Sequence, residues 1–137
     1  ASASLPSYVV SGNWIQHGDG RWKFVDAVGT EYKNVWAAVY NPYANVQAGA
    51  SAYDWFRFDE NGFMLTGWFT DPTDQNLYYL NPVSDGTCGR MVTGWAMIEG
   101  KEYYFNPVSD GTMGRMLRNE TTGDGYFVGA DGTKRNF

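Results

Sequence analysis

The side chains with recognisable chemistry in this chain are flat aromatic faces, and they recur at intervals. Trp14, Trp22, Trp36, Trp55, Trp68 and Trp95 are spread along the sequence together with ten tyrosines and eight phenylalanines. Faces of this kind stack on sugar rings and attract organic cations. A quaternary ammonium has no hydrogen-bond donor, so its selection rests on rings within ~6 Å, each contributing ~0.5–2 kcal/mol. Neither task needs a nucleophile.

Catalytic groups are sparse by comparison. His17 is the single histidine and sits in a polar turn, Gln16-His17-Gly18-Asp19-Gly20. No nucleophile-elbow motif accompanies it. A paired-carboxylate glycosidase is disfavoured because the acids fall mainly in turns. The regularly spaced carboxylates of a Ca²⁺ loop are missing. The lone Cys88 excludes an intramolecular disulfide and an all-cysteine metal site. The expectation is a chain with no catalytic residue, no metal and no cofactor.

Charge and hydropathy narrow the partners. A net charge of -5 speaks against nucleic acid, whose phosphates call for clustered Lys and Arg. No stretch reaches the ~20 apolar residues of a membrane helix, so no membrane insertion is expected. The small residues of Ala1–Pro6 read as the start of a mature chain after signal cleavage or as a cloning boundary.

The elements that must position the rings are repeats. Asn81-Pro82-Val83-Ser84-Asp85-Gly86-Thr87-Cys88-Gly89-Arg90-Met91 recurs 25 residues on as Asn106 to Met116, with only Cys88 exchanged for Met113. Tyrosine pairs, Tyr78-Tyr79 and Tyr103-Tyr104, precede the copies, and Gly67-Trp68 and Gly94-Trp95 precede those. Looser versions run through Trp22–Asp26, Trp55–Gly62 and Gly125–Val128. About five repeats result, opening near Trp14, Trp36, Trp68, Trp95 and Asn119. A lead segment covers 1–11, the array covers 12–137, and about 39–51 reads as an insertion in the second repeat.

Each repeat reads as a hairpin: a short aromatic strand, a polar Gly/Asp turn, then a strand around Met. Alternation puts Trp55 and Arg57 on one face, Phe56 and Phe58 on the other. Leu77 with Tyr79, and Glu102 with Tyr104, likewise oppose Tyr78 with Leu80 and Tyr103 with Phe105. Phe58, Leu80, Phe105 and Val128 are steadily apolar and are assigned to the core. Met64, Met91 and Met116 suit packing against aromatics, and Asp85-Gly86 and Asp110-Gly111 suit turns. A lone hairpin is marginal in water. The expected fold is therefore all-β, stacked β-hairpin repeats forming a β-solenoid.

The pattern resembles the choline-binding, or cell-wall-binding, repeats of Gram-positive surface proteins. Asn61-Gly62-Phe63-Met64-Leu65-Thr66-Gly67-Trp68 and Met91-Val92-Thr93-Gly94-Trp95 carry the likeness, strongly from Trp55 to Met116. The resemblance implies a left-handed superhelix with ligands between successive hairpins, and a secreted protein at the bacterial cell surface. It also implies an aromatic cage at Trp36, Trp55 and Tyr79. Weaker grooves follow: Trp14 and Trp22 with Arg57 in third place, Trp68 with Leu77 and Tyr104, and Trp95 with Glu102 and Phe127. Three functions stay open. One is a non-catalytic module recognising choline-bearing teichoic acid or another wall glycan. The second is a glucan or host-glycan lectin, related repeats in glucan-binding proteins being sugar binders. The third is a structural or adhesin spacer without a small ligand. A homodimer is compatible with all three.

Overall fold

The computed structural model of the protein describes residues 7–42, 47, 52–83, 88–108 and 110–135. Most of the expected insertion and the first Ser-Asp-Gly-Thr turn lie outside the described residues. Among the described residues there are strands and turns and no α-helix. The chain divides into two compact bodies: Ala1–Thr66 with Pro82–Arg90, and Gly67–Asn81 with Met91–Phe137.

Two hairpins build the first body. Strands β2 (Gly12–Gln16) and β3 (Trp22–Asp26) pair antiparallel, as do β4 (Val35–Tyr40) and β5 (Tyr53–Phe58). A short β1 (Val9–Val10), from the lead segment, runs parallel to β4, with Val9 opposite Ala38. The β2–β3 loop closes through the His17 and Gly20 backbone, and Asn41 N–H donates to Ala52 at the mouth of the β4–β5 loop. After β5, Asp59 caps its turn by accepting the Asn61 and Phe63 N–H groups on Oδ1. The chain then crosses back. Met64 N–H donates to the Trp22 carbonyl and Leu65 N–H to the Arg57 carbonyl, which ties the two hairpins together. Phe24, Ala37, Val39 and Phe58 form the core, with Val10, Trp14, Tyr32, Phe56 and Met64 packed around them.

The second body repeats the plan. Its hairpins are β6 (Gly67–Thr70) with β7 (Leu77–Leu80), β8 (Gly94–Ile98) with β9 (Lys101–Phe105), and β10 (Glu120–Thr121) with β11 (Phe127–Val128); β12 (Lys134–Arg135) adds to β11. Glu99 and Gly100 make the tight β8–β9 turn with φ of 51° and 82°, the positive pair that a two-residue hairpin loop demands. Met116 N–H donates to Leu77 and Leu117 N–H to Tyr104, the counterpart of the Met64 crossing. The Asn106–Thr112 turn is stitched by its own side chains, the Asn106 amide donating to Asp110 and Thr112. Ile98, Phe105 and Met116 form the core, flanked by Leu77, Tyr79, Val92, Ala96 and Tyr103.

Five hairpins are therefore present among the described residues. Phe58, Leu80, Phe105 and Val128, the side chains assigned inward, are each 0% exposed. The first repeat is the exception to the pattern. There Phe24 is buried, while Val25, in the place of Phe58, is only half-buried.

Candidate functional site

Strand register decides where each ring stands. In the first body Trp36 lies opposite Arg57, and Ala38 opposite Trp55. Paired residues share a face, so both indoles are on one side of the β4–β5 hairpin as diagonal neighbours, on the order of 7 Å apart. Both faces are covered from within the chain. The Arg57 guanidinium lies 5.9 Å from the Trp36 ring centroid, and its Nη2 donates to Asn34 Oδ1 at 2.7 Å. Tyr8 stacks on Trp55 with ring centroids 5.4 Å apart and planes at 26°. The Tyr8 and Tyr53 hydroxyls are 3.1 Å apart, and Tyr53 faces Tyr40 across the strands.

Tyr79, the third ring of the expected cage, belongs to the second body. It lies edge-on to Trp68 at 5.0 Å and parallel to Phe105 at 6.3 Å. Trp68 also meets Tyr103 at 5.1 Å. In the first body Trp14 has the same role against Phe24, Phe56 and Phe58, at 5.1, 4.9 and 5.8 Å. Rings of one hairpin thus cover the first-strand tryptophan of the hairpin before it, Phe56 and Phe58 on Trp14 and Tyr103 and Phe105 on Trp68. Trp14 is half-buried by this contact, whereas Trp68 keeps 41% of its surface exposed. Trp22 is half-buried beside the crossing chain that its carbonyl holds. Leu77 packs against the second core.

Trp95 has the richest surroundings. Tyr104, opposite it on β9, presents an edge at 4.8 Å. The ring that reaches it from the next repeat is Tyr126, at 5.8 Å and nearly perpendicular. Tyr126 precedes β11, in a turn closed by Thr122, whose N–H donates to the Tyr126 carbonyl; Phe127, which the resemblance implies for this groove, is the next residue, on β11. The Trp95 indole N–H donates to Asp124 Oδ2 at 2.9 Å. Hydrogen bonds from the Thr122 hydroxyl and then from Trp95 hold the Asp124 carboxyl below the usual range. Glu102 stands close by, its Oε2 4.0 Å from Lys134 Nζ. Lys134 completes the set, with Nζ 4.3 Å from the Tyr126 centroid and 5.6 Å from that of Trp95.

No family model matches the chain, and no curated protein matches it. Solved structures do. A structure of CbpF in complex with ipratropium is 29% identical, covers 91% of this chain and 32% of its own, and superposes with a TM-score of 0.63. Choline binding protein F from Streptococcus pneumoniae, in the presence of a peptidoglycan analogue, is 25% identical over 91% of this chain and 47% of its own, with a TM-score of 0.50. The endolysin from phage Cp-1 complexed with choline has the same fold, with 22% identity over 100% of this chain and 40% of its own and a TM-score of 0.54. The chain is similar in fold to the repeat arrays of these choline-binding proteins. It spans less than half the length of each of these proteins.

In this repeat array cationic side chains sit over aromatic rings at several places. Arg21 and Lys23 lie 3.7 and 4.8 Å from the Phe63 centroid, beside His17 at 4.9 Å. With Arg57 on Trp36 and Lys134 on Trp95 and Tyr126, the pattern spans both bodies. Of these cations the sequence reading named Arg57 alone, in the groove of Trp14 and Trp22; Arg21, Lys23 and Lys134 were not expected. The signal was the basic residue itself, Arg57 or Lys134, but only register shows which ring it covers. One carboxyl is strained by burial: Asp54 lies on the core side of β5, opposite Val39, and burial pushes its pKa up, with Arg90 at 3.4 Å pulling it partly back.

Proposed function

We propose that this chain is a non-catalytic module of a bacterial surface protein that binds the cell wall through its aromatic faces. The ligand would be choline-bearing teichoic acid or another wall glycan. What carries the reading is the likeness to CbpF over 91% of the chain, combined with aromatic repeats in matching hairpins. The chemistry supports it. A trimethylammonium group gains from rings that exclude water around it, at roughly 0.5–2 kcal/mol per ring. Trp36 and Trp55, on one face of β4–β5, are the proposed walls in the first body. The test is retention on a tertiary-amine resin and elution by free choline, alongside pelleting with purified walls that carry or lack choline. Choline-independent pelleting would favour a wall glycan; no pelleting with either wall would end the proposal.

A second reading, a glycan lectin, has its own observation. Tyr8, Tyr53 and Trp55 cluster at one end of the β4–β5 hairpin, where Tyr53 pairs with Tyr40; the Tyr8 and Tyr53 hydroxyls are 3.1 Å apart, and Tyr8 is 47% exposed. Flat rings bearing hydroxyls suit a pyranose, whose C–H face stacks while its hydroxyls hydrogen-bond. A glycan array separates this reading from the first.

A further inference from the structure

We infer that Lys134 is an internal ligand: its ammonium occupies the cation site formed by Trp95, Tyr126, Glu102 and Asp124, and keeps external ammonium groups out. The inference deepens the proposed reading of the aromatic faces as cation sites. Each component of such a site is present here. Two aromatic rings lie within the ~6 Å at which cation–π attraction is felt, and a carboxylate stands 4.0 Å away. Asp124 fixes the indole through its N–H, so the Trp95 face cannot swing aside without breaking that bond.

The backbone delivers the lysine. Lys134 pairs with Val128 across β11–β12, and its neighbour Thr133 bridges to Tyr103 on β9. Strand β12 is thereby laid beside β9, and the side chain of Lys134 is aimed at the rings from a fixed origin. Only 25% of that side chain is exposed, although lysine ordinarily extends into water. An exogenous trimethylammonium would have to displace a cation tethered at high effective concentration, an intramolecular competitor that wins unless the ligand is far stronger. The tether also has a structural consequence. Lys134 joins the closing three-stranded sheet to the β8–β9 hairpin without any outside ligand.

The experiment counts sites. Tetramethylammonium is titrated calorimetrically into wild type, Lys134→Met and Lys134→Met/Trp95→Ala, with far-ultraviolet circular dichroism reporting the fold. Lys134→Met keeps the aliphatic stem and removes the charge. One additional site in Lys134→Met, lost again in the double variant, is expected. The same number of sites in wild type and in folded Lys134→Met overturns the inference. A readout on the wild type covers failure of the variant to fold. The Lys134 ε-methylene protons should resonate upfield of those of Lys33 and Lys101, because they lie over ring faces. Resonance at the same position as Lys33 and Lys101 also overturns it. Neither measurement involves walls, so failure of the wall-binding proposal is seen separately, in the pelleting assay.

Discussion

The Met64 thioether rests against Gly89, the glycine that closes the turn of the following repeat, and leaves no room there for a Cβ. The same seat recurs between Met91 and Gly114 and between Met116 and Gly132. All three glycines have positive φ, at 85°, 93° and 84°. Each methionine therefore needs the next repeat's glycine both for its space and for its backbone. That coupling explains why Met and Gly return together in the sequence.

From this follows a prediction for Gly89→Ala. The strained backbone alone costs on the order of 1–3 kcal/mol, and the methyl group must also displace the Met64 tip. We expect a loss near 2 kcal/mol, seen as a fall in Tm of several degrees. A methionine tip is flexible, so the steric part should disappear in a Met64→Ala background while the backbone part persists. A double-mutant cycle measures the difference. Equal costs of Gly89→Ala in both backgrounds would show that the contact carries no energy.

Phe58 and Phe105 give the sharpest stability test. Both are fully buried and both sit at the bridge to the crossing methionine, Phe58 with Met64 and Phe105 with Met116. Truncating either to alanine is expected to cost about 3–5 kcal/mol, measured by chemical denaturation. Val25→Ala, at the half-buried equivalent place in the first repeat, should cost much less.

Those phenylalanines were legible in the sequence because strand alternation and apolar constancy point the same way at Phe58, Leu80 and Phe105. Strands β6 and β8 were legible for a related reason, since each begins at a Gly-Trp pair, Gly67-Trp68 and Gly94-Trp95. What lay beyond reach depends on contacts between segments distant in sequence. Tyr8 stacks on Trp55 only because β1 joins β4 in parallel, and nothing in Val9–Val10 announces that partner. Tyr126 meets Trp95 from a turn, where no strand alternation applies. Lys134 reaches the same rings through the pairing of β12, a two-residue strand too short to carry a pattern.

Asp54 supplies a prediction with a definite sign. Burial raises its pKa in the folded chain, Arg90 lowering it again only in part. A raised carboxyl pKa means that its favourable contribution belongs to the protonated form. That contribution is present below the ordinary aspartate range, around 3.9, and is lost as pH rises through the folded value. At pH 7 the ionised group is therefore a burden on the fold. Asp54→Asn should raise the Tm at pH 7 and leave it nearly unchanged at pH 3. A lower Tm at pH 7 would mean that the Arg90 pair outweighs the burial.

Glu120 behaves in the opposite way. Arg115 donates to both of its carboxylate oxygens, at 2.7 and 2.9 Å, and the bidentate pair holds its pKa below the usual range. Its stabilisation is present above the unfolded value, near 4.3, and fades as pH falls through the lowered one. Glu120→Gln should cost about 0.5–1 kcal/mol at pH 7. The wild type and the variant should converge in acid. Thermal melts at pH 7 and pH 3 check both the size and the convergence.

The last prediction separates rings that bind from rings that fold. Trp14 lies among Phe24, Phe56 and Phe58, so Trp14→Ala should open the first core and lower the Tm markedly, by about 3–5 kcal/mol of stability. Trp55 lies on the opposite side of β5 from Phe56 and Phe58 and touches Tyr8, an exposed ring. Trp55→Ala should then leave the fold nearly intact while weakening wall retention roughly tenfold, the effect of one lost ring at ~0.5–2 kcal/mol. Tyr79→Ala should lower stability and retention together, since its ring also packs on Trp68 and Phe105. Pelleting with purified walls across a concentration series, paired with thermal melts, reads both axes for each variant. Unchanged retention in a folded Trp55→Ala protein would remove the β4–β5 face from the binding site and shift attention to Trp68, which keeps 41% of its surface exposed.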